Sequence, residues 1–172
     1  MSDGYRAPRR LRKEDQLDLF ECRSTEQTEW LRRHARQADA MGTATTFVVE
    51  TAETSEVAAF YAWSMASIAI DQSPARLRKG AGRYPQPVAL LARLGVGLQH
   101  EGRGIGAALL KDVISRVAVL GTEIGCRGLL IHADTAEACD FYLHLIPEFE
   151  VSPTDELHLV LLVKDIHRSL AE

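Results

Sequence analysis

Apolar residues recur along this chain with two periods, near two and near 3.6, and each change of period marks an element boundary. Ser24 or Thr25 caps a helix over 26–41, where Trp30, Leu31, Ala35 and Ala38 share one side and Gly42 ends the run. The β-branched stretch 43–51 predicts a strand, Ser55 sits in the turn after it, and 57–70 returns as the second arm of an antiparallel hairpin. A strand over 87–96 is apolar enough to be central. Over 104–120, Ile105, Leu109, Val113, Ile114 and Val117 fall at helical spacing and form a stripe for packing on a sheet. Residues 128–133 predict a buried strand, Asp134 or Thr135 caps a helix to about Leu145, and Pro147 closes it. Strands at 149–151 and 157–164 follow, then a loose helical tail; the chain opens with a short strand at 9–13 and a helical turn at 14–20.

The resulting order, β-α-α-β-β-β-α-β-α-β-β, describes an α/β (α+β) domain with a mixed central sheet of about six to seven strands flanked by helices. At 172 residues, 1–172 reads as a single domain with loose ends and no internal repeat.

One segment escapes the pattern. Residues 72–87 carry Pro74, Gly80, Gly82, Pro85 and Pro87, too many breakers for more than a short helix over 74–79. Charge changes the picture here. Arg76, Arg78, Lys79, Arg83 and Arg93 lie between 72 and 100 with no acid among them, whereas twelve acids face six bases from Glu101 onward. A local basic face suits docking of a charged partner as well as it suits an ordinary solvated loop. The net charge of −4 argues against indiscriminate coating of nucleic acid.

Composition narrows the class further. With 46% hydrophobic residues the chain supports a core, and no apolar run is long enough to span a bilayer. The polar, basic start at 1–13 lacks the apolar centre of a secretory signal, so the cytoplasm is expected. Cys22, Cys126 and Cys139 are odd in number and far apart, which predicts reduced, buried thiols; without zinc spacing, no metal is expected.

Candidate chemistry concentrates where the central strand meets the long helix, at Leu94-Gly95-Val96-Gly97-Leu98-Gln99-His100-Glu101-Gly102-Arg103-Gly104-Ile105-Gly106. Glycine lets backbone approach a ligand closely, and a helix start adds free N–H groups and positive potential. This predicts a pyrophosphate cradle, although a tight strand-to-helix connection uses the same residues. The dinucleotide fingerprint fits poorly, because no second βαβ half follows. The nucleotide-hydrolase loop needs Gly-Lys-Ser/Thr, and two alanines follow Gly106 instead.

Glu101-Gly102-Arg103-Gly104-Ile105-Gly106 resembles the acetyl-CoA loop of the GNAT superfamily of N-acetyltransferases, Arg/Gln-x-x-Gly-x-Gly/Ala, with Glu101 departing at the first position. The element order matches the GNAT fold. A narrower resemblance, to the acetyltransferase toxins of type II toxin–antitoxin pairs, covers residues 10 to 168. It rests on Leu19-Phe20-Glu21-Cys22…Trp30-Leu31-Arg32-Arg33, Thr46-Phe47-Val48-Val49, Pro87-Val88…Leu91-Ala92-Arg93-Leu94-Gly95-Val96, Ala136-Glu137-Ala138-Cys139-Asp140-Phe141-Tyr142 and Ser152-Pro153-Thr154…Leu157-His158-Leu159. Arg23 stands where a glycine usually follows the cysteine, and Leu145-Ile146-Pro147-Glu148-Phe149 replaces the commoner Phe-Gly-Phe.

The resemblance implies transfer of acetyl from acetyl-CoA to the α-amine of an aminoacyl-tRNA, blocking translation. It also implies a ribbon-helix-helix antitoxin and a homodimer. Leu94, Gly95, Val96, Glu101, Gly102, Arg103, Gly104, Ile105 and Gly106 would then bind the donor, and Tyr142 matches the family's tyrosine acid. Arg76, Arg78, Lys79, Arg83 and Arg93, with Arg32, Arg33 and Arg36, are the candidates for the tRNA backbone. His132, on a buried strand, reads as a hydrogen-bonded structural histidine, and Glu101 as a solvated turn carboxylate. Two alternatives stay open: acetylation of a small amine or protein lysine, and a non-catalytic acyl-CoA-binding domain.

Overall fold

The computed structural model describes residues 4–171; the looseness expected at residues 1–3 and 172 lies outside the described residues. The strands are β1 (Arg9–Arg10), β2 (Thr45–Glu50), β3 (Val57–Ile68), β4 (Gln86–Val96), β5 (Gly128–His132), β6 (Glu150–Val151) and β7 (His158–Leu162). The helices are α1 (Thr25–Arg33), α2 (Ala35–Met41), α3 (Ala75–Arg78), α4 (Ile105–Glu123), α5 (Ala136–Leu145) and α6 (Val163–Ala171). The strands form one mixed, seven-stranded sheet in the order β1-β2-β3-β4-β5-β7-β6, with β4 and β5 parallel.

Local chemistry explains most boundaries. The Ser24 hydroxyl accepts the N–H of Gln27 at 3.2 Å and the Thr135 hydroxyl that of Ala138 at 3.1 Å, each cap contributing about 1 kcal/mol. Gly42 closes α2 at φ 74°, a left-handed angle that glycine adopts without strain. The helix expected over 26–41 is broken at His34, where φ is −119°. Neither proline nor glycine marks that break, so the sequence carries no local sign of it.

The chain divides into two compact units, Met1–Ser64 with Ala92–Asp112, and Met65–Leu91 with Val113–Glu172. In the first, β1, β2 and β3 run antiparallel, with Phe47 opposite Tyr61. Leu17, Phe20, Leu31, Ala35, Val48, Val57 and Phe60 make its core, the Phe60 ring lying edge-on to Phe20 and parallel to Trp30. The helical turn expected at 14–20 is absent. The Asp15 carboxylate accepts the backbone N–H of Arg12 at 2.7 Å and both terminal nitrogens of Arg9, a local side-chain arrangement that competes with helix. Leu17 and Phe20 still enter the core from non-helical backbone.

In the second unit β4 pairs with β5 from Ala89 opposite Leu129 to Leu91 opposite Ile131, and β5 pairs antiparallel with β7. Ile68, Leu77, Val88, Leu130, Val160 and Leu162 form the core. Gly128 is required where it stands, because a Cβ would lie 2.6 Å from the Leu161 carbonyl oxygen. The final strand stops at Leu162 rather than 164, since its partner begins opposite at Gly128. Val163 therefore opens α6, with Asp165 in the first turn where the helix dipole favours an acid.

Candidate functional site

The end of β4 is fastened within the first unit. Gly97 donates its N–H to the Ala58 carbonyl at 2.8 Å, and Leu98 donates to that of Glu21 at 2.9 Å. A turn at Leu98–His100 leads through Glu101, Gly102, Arg103 and Gly104 into α4. Gly102 and Gly104 hold φ at 74° and 77°, angles that an L side chain adopts only with strain. A Cβ added to either would meet nothing within 4 Å, so the space above this backbone is open. The first N–H groups of α4 have no acceptor inside their own helix, and the dipole adds positive potential there. Ile105 is buried and anchors the turn from below, while Gly106 lies in the first helical turn. An anionic diphosphate fits this arrangement. Gly95 has a different reason to be glycine: a Cβ there would stand 2.9 Å from the Phe60 ring. Leu94 and Val96 are half-buried beside it.

The loop's charged side chains are all engaged. Arg23 donates from Nε and Nη2 to the two Glu101 oxygens at 3.0 and 2.9 Å. This pairing holds the Glu101 carboxyl below the usual carboxylate range. Arg103 donates to the Tyr5 hydroxyl at 3.0 Å, and that hydroxyl lies 2.8 Å from His100 Nδ1. Glu101 is thus an ion-paired residue, not the freely solvated one the sequence suggested. Sequence reasoning missed Tyr5 altogether and noted Arg23 only as a departure. Their partners are 98 and 78 positions away, and no local pattern signals contacts at that range.

Tyr142 lies in the second unit on α5, 7% exposed, with the Phe141 and Phe149 rings edge-on at 5.4 and 6.4 Å. Burial, and then the Asp134 charge, raise its phenol well above the ordinary value. A phenol so placed keeps its proton at neutral pH, and burial makes it still less ready to ionise. His132 departs from expectation. It reaches solvent at the end of β5, its ring stacked on His158 at 3.9 Å, and burial followed by the His158 charge lowers its pKa.

The basic candidates separate into two kinds. In the second unit Arg76 is committed to Asp165, at 2.7 Å from Nη1 and 2.9 Å from Nη2, with Glu150 at 3.4 Å. Arg78, Lys79 and Arg83 are exposed on either side of Gly80 and Gly82. In the first unit Arg93 pairs with Glu26 at 2.8 Å and lies over the Trp30 ring, Arg33 pairs with Glu29 at 2.9 Å, and Arg36 donates to the carbonyls of Lys13 and Asp15. Arg32 is half-buried. All three cysteines are buried free thiols. Among the described residues no helix is long and apolar enough to cross a membrane, and no cluster of three ligating side chains could hold a metal.

Known proteins resemble this chain along almost its whole length. It is 40% identical over 162 residues to a tRNA-acetylating toxin of Mycobacterium tuberculosis (strain ATCC 25618 / H37Rv), covering 94% of this chain and 95% of that protein. The fold matches AtaT complexed with acetyl-methionyl-tRNAfMet, with a TM-score of 0.86 at 19% identity over 95% of this chain and 98% of that one. It also matches a tyrosine-to-phenylalanine variant of AtaT bound to acetyl-CoA and the C-terminus of the antitoxin AtaR, with a TM-score of 0.81 at 18% identity over 99% and 100%. No family model matches the chain. Forty per cent identity sustained over 94% of the sequence, on a fold shared with AtaT, means that this chain belongs to the family of tRNA-acetylating toxins.

Proposed function

We propose that this protein is the toxin of a toxin–antitoxin pair and transfers acetyl from acetyl-CoA to the α-amine of an aminoacyl-tRNA, so that translation stops. The observation that carries this reading is the kinship with the mycobacterial tRNA-acetylating toxin from one end of the chain to the other. Leu94, Gly95, Val96 and Glu101 through Gly106 form the donor site, in which the amides of the 102–106 turn hold the diphosphate. Bound there, acetyl-CoA supplies the acetyl group as a thioester. Backbone N–H groups near 94–96 stabilise negative charge developing on the acyl oxygen.

Tyr142 is the acid: as the new C–N bond forms and the C–S bond breaks, its buried hydroxyl gives its proton to the leaving sulfur, and the proton shed by the attacking nitrogen restores the phenol. A dedicated base is dispensable. An aminoacyl α-amine titrates near or below about 8, so roughly a tenth or more of it is already unprotonated at neutral pH, whereas of a lysine amine near about 10.4 less than about a thousandth is. Arg78, Lys79 and Arg83 contact the tRNA backbone in the second unit, and Arg32, Arg33, Arg36 and Arg93 supply further positive charge in the first. Arg76 supports the same segment from within, through Asp165. The partner is a ribbon-helix-helix antitoxin, the protein acts as a homodimer, and it works in the cytoplasm.

Incubation with labelled acetyl-CoA and total tRNA, charged or chemically deacylated, tests the reading. Label is expected in the charged pool alone. Label in both pools or neither, with donor consumed on a polyamine or protein lysine, supports the small-amine or lysine alternative. Acetyl-CoA binding without any transfer supports a non-catalytic binding domain.

A further inference from the structure

The loop that begins α4 is held by more than its own backbone. Three side chains flank its left-handed glycines, and each is tied to the first 56 residues of the chain. His100 Nδ1 meets the Tyr5 hydroxyl at 2.8 Å, and its Nε2 lies 3.7 Å from Glu56. Glu101 takes the Arg23 fork, and Arg103 donates to Tyr5 while its guanidinium lies 6.0 Å over the Tyr5 ring. The partners are themselves located. Tyr5 is bridged to Thr51 across extended backbone, and Arg23 follows Cys22, which pairs with Gly97.

Electrostatics gives these ties a purpose. A lone carboxylate at the entrance of an anion cradle repels the ligand the cradle is shaped for. Arg23 is 83% exposed and Glu101 32%, so their pairing adds little to fold stability by itself. Its effect falls on whatever charge comes to the loop. Tyr5 meanwhile holds the residue before Glu101–Gly102 and the residue after, which limits the conformations open to two glycines. Ordering a loop before its ligand arrives removes that cost from binding.

We propose that Arg23 and Tyr5 are positioning residues for the donor's diphosphate: Arg23 neutralises Glu101, Tyr5 braces His100 and Arg103, and together they hold the 101–104 backbone ready for the anion. This rests on the acetyl-CoA reading above and deepens it.

Calorimetric titration of the full chain with CoA, at low and at high salt, tests the clamp, with thermal melting of the unliganded protein as the fold control. Arg23→Ala is expected to weaken CoA about tenfold at low salt, and the difference should shrink severalfold at 0.5 M salt because screening acts on the exposed Glu101 charge. Arg23→Lys should recover part of the loss, and Arg23→Ala combined with Glu101→Gln most of it. Tyr5→Phe should weaken CoA about threefold at either salt concentration. The Arg23 variants should melt within about two degrees of the wild type, as exposed substitutions do, and half-buried Tyr5→Phe within a few degrees. Variants that bind CoA like the wild type overturn the proposal. So does an Arg23→Ala defect that ignores salt and persists in the double variant, which would make the pair structural only. A wild-type protein that does not bind CoA overturns instead the donor-site reading beneath it.

Discussion

In the function proposed above, the glycine turn at 101–106 would offer backbone to the donor, whereas Tyr142 would offer one hydroxyl. The turn sits in open space, with a would-be Cβ at Gly102 or Gly104 touching nothing, and its charged side chains are tied elsewhere. Tyr142 is enclosed, 7% exposed, with aromatic rings edge-on to its own and a phenol that burial makes harder to ionise. Chemistry carried by backbone is spread over several amides and degrades by degrees. Chemistry carried by one buried oxygen is lost with that atom. The contrast predicts a steep response to substitution at 142 and a graded one along the turn.

The largest effect is expected from Tyr142→Phe. Removing one oxygen from a well-packed ring leaves the fold and CoA affinity intact but lowers kcat about 10²–10³-fold, the scale of a lost general acid. Steady-state transfer together with CoA calorimetry separates the two quantities, and unchanged turnover removes Tyr142 from the mechanism. Next comes Gly104→Val, which forces a β-branched residue to φ 77°. The strain, about 1–3 kcal/mol, should appear as CoA affinity reduced roughly tenfold or more while purified protein still folds. Wild-type affinity in that variant would mean that the turn is only a connection.

A third effect tests charge that neither region carries. Arg78→Ala with Lys79→Ala should weaken tRNA binding about tenfold at low salt and flatten the salt dependence by about two phosphate contacts, measured by filter binding over a salt series. Unchanged affinity removes both residues from the tRNA surface.

The smallest effect on activity is expected from Asp165→Asn, which loosens the support of the basic segment. Arg76, and then its other cationic neighbours against the cost of burial, hold the Asp165 carboxyl below its ordinary 3.8. A depressed carboxyl contributes stability that is complete above the ordinary value and is lost as pH falls through the lowered one. The variant should therefore melt several degrees lower near pH 7, and the gap to wild type should close only well below pH 4. A gap that stays constant down to pH 2 contradicts the ion-pair account.

The same contrast explains what the sequence revealed. The glycine turn shows itself because positive φ demands particular residues at particular spacing, and Gly102 and Gly104 hold those angles. The stripe Ile105, Leu109, Val113, Ile114 and Val117 predicted a buried helix face, and all five are buried. Tyr142 was visible only through resemblance, since its burial involves Phe149, packed from beyond the end of α5. Side-chain ties across long sequence separations stayed hidden. Arg76, grouped by composition with Arg78 and Lys79, belongs to Asp165, 89 positions away. The helical turn expected at 14–20 was lost to a local competitor, Asp15 clasping Arg9. His132 was expected inside because its strand is apolar, yet it is the terminal residue of β5 and reaches solvent.

Mass spectrometry of the amino acids released from charged tRNA after incubation with acetyl-CoA and the purified protein tests the central claim most directly. The wild type should yield an amino acid acetylated on its α-nitrogen, and Tyr142→Phe only traces of it. Free, unacetylated amino acids from the wild-type reaction, with acetyl found instead on lysine side chains or a polyamine, would contradict the account.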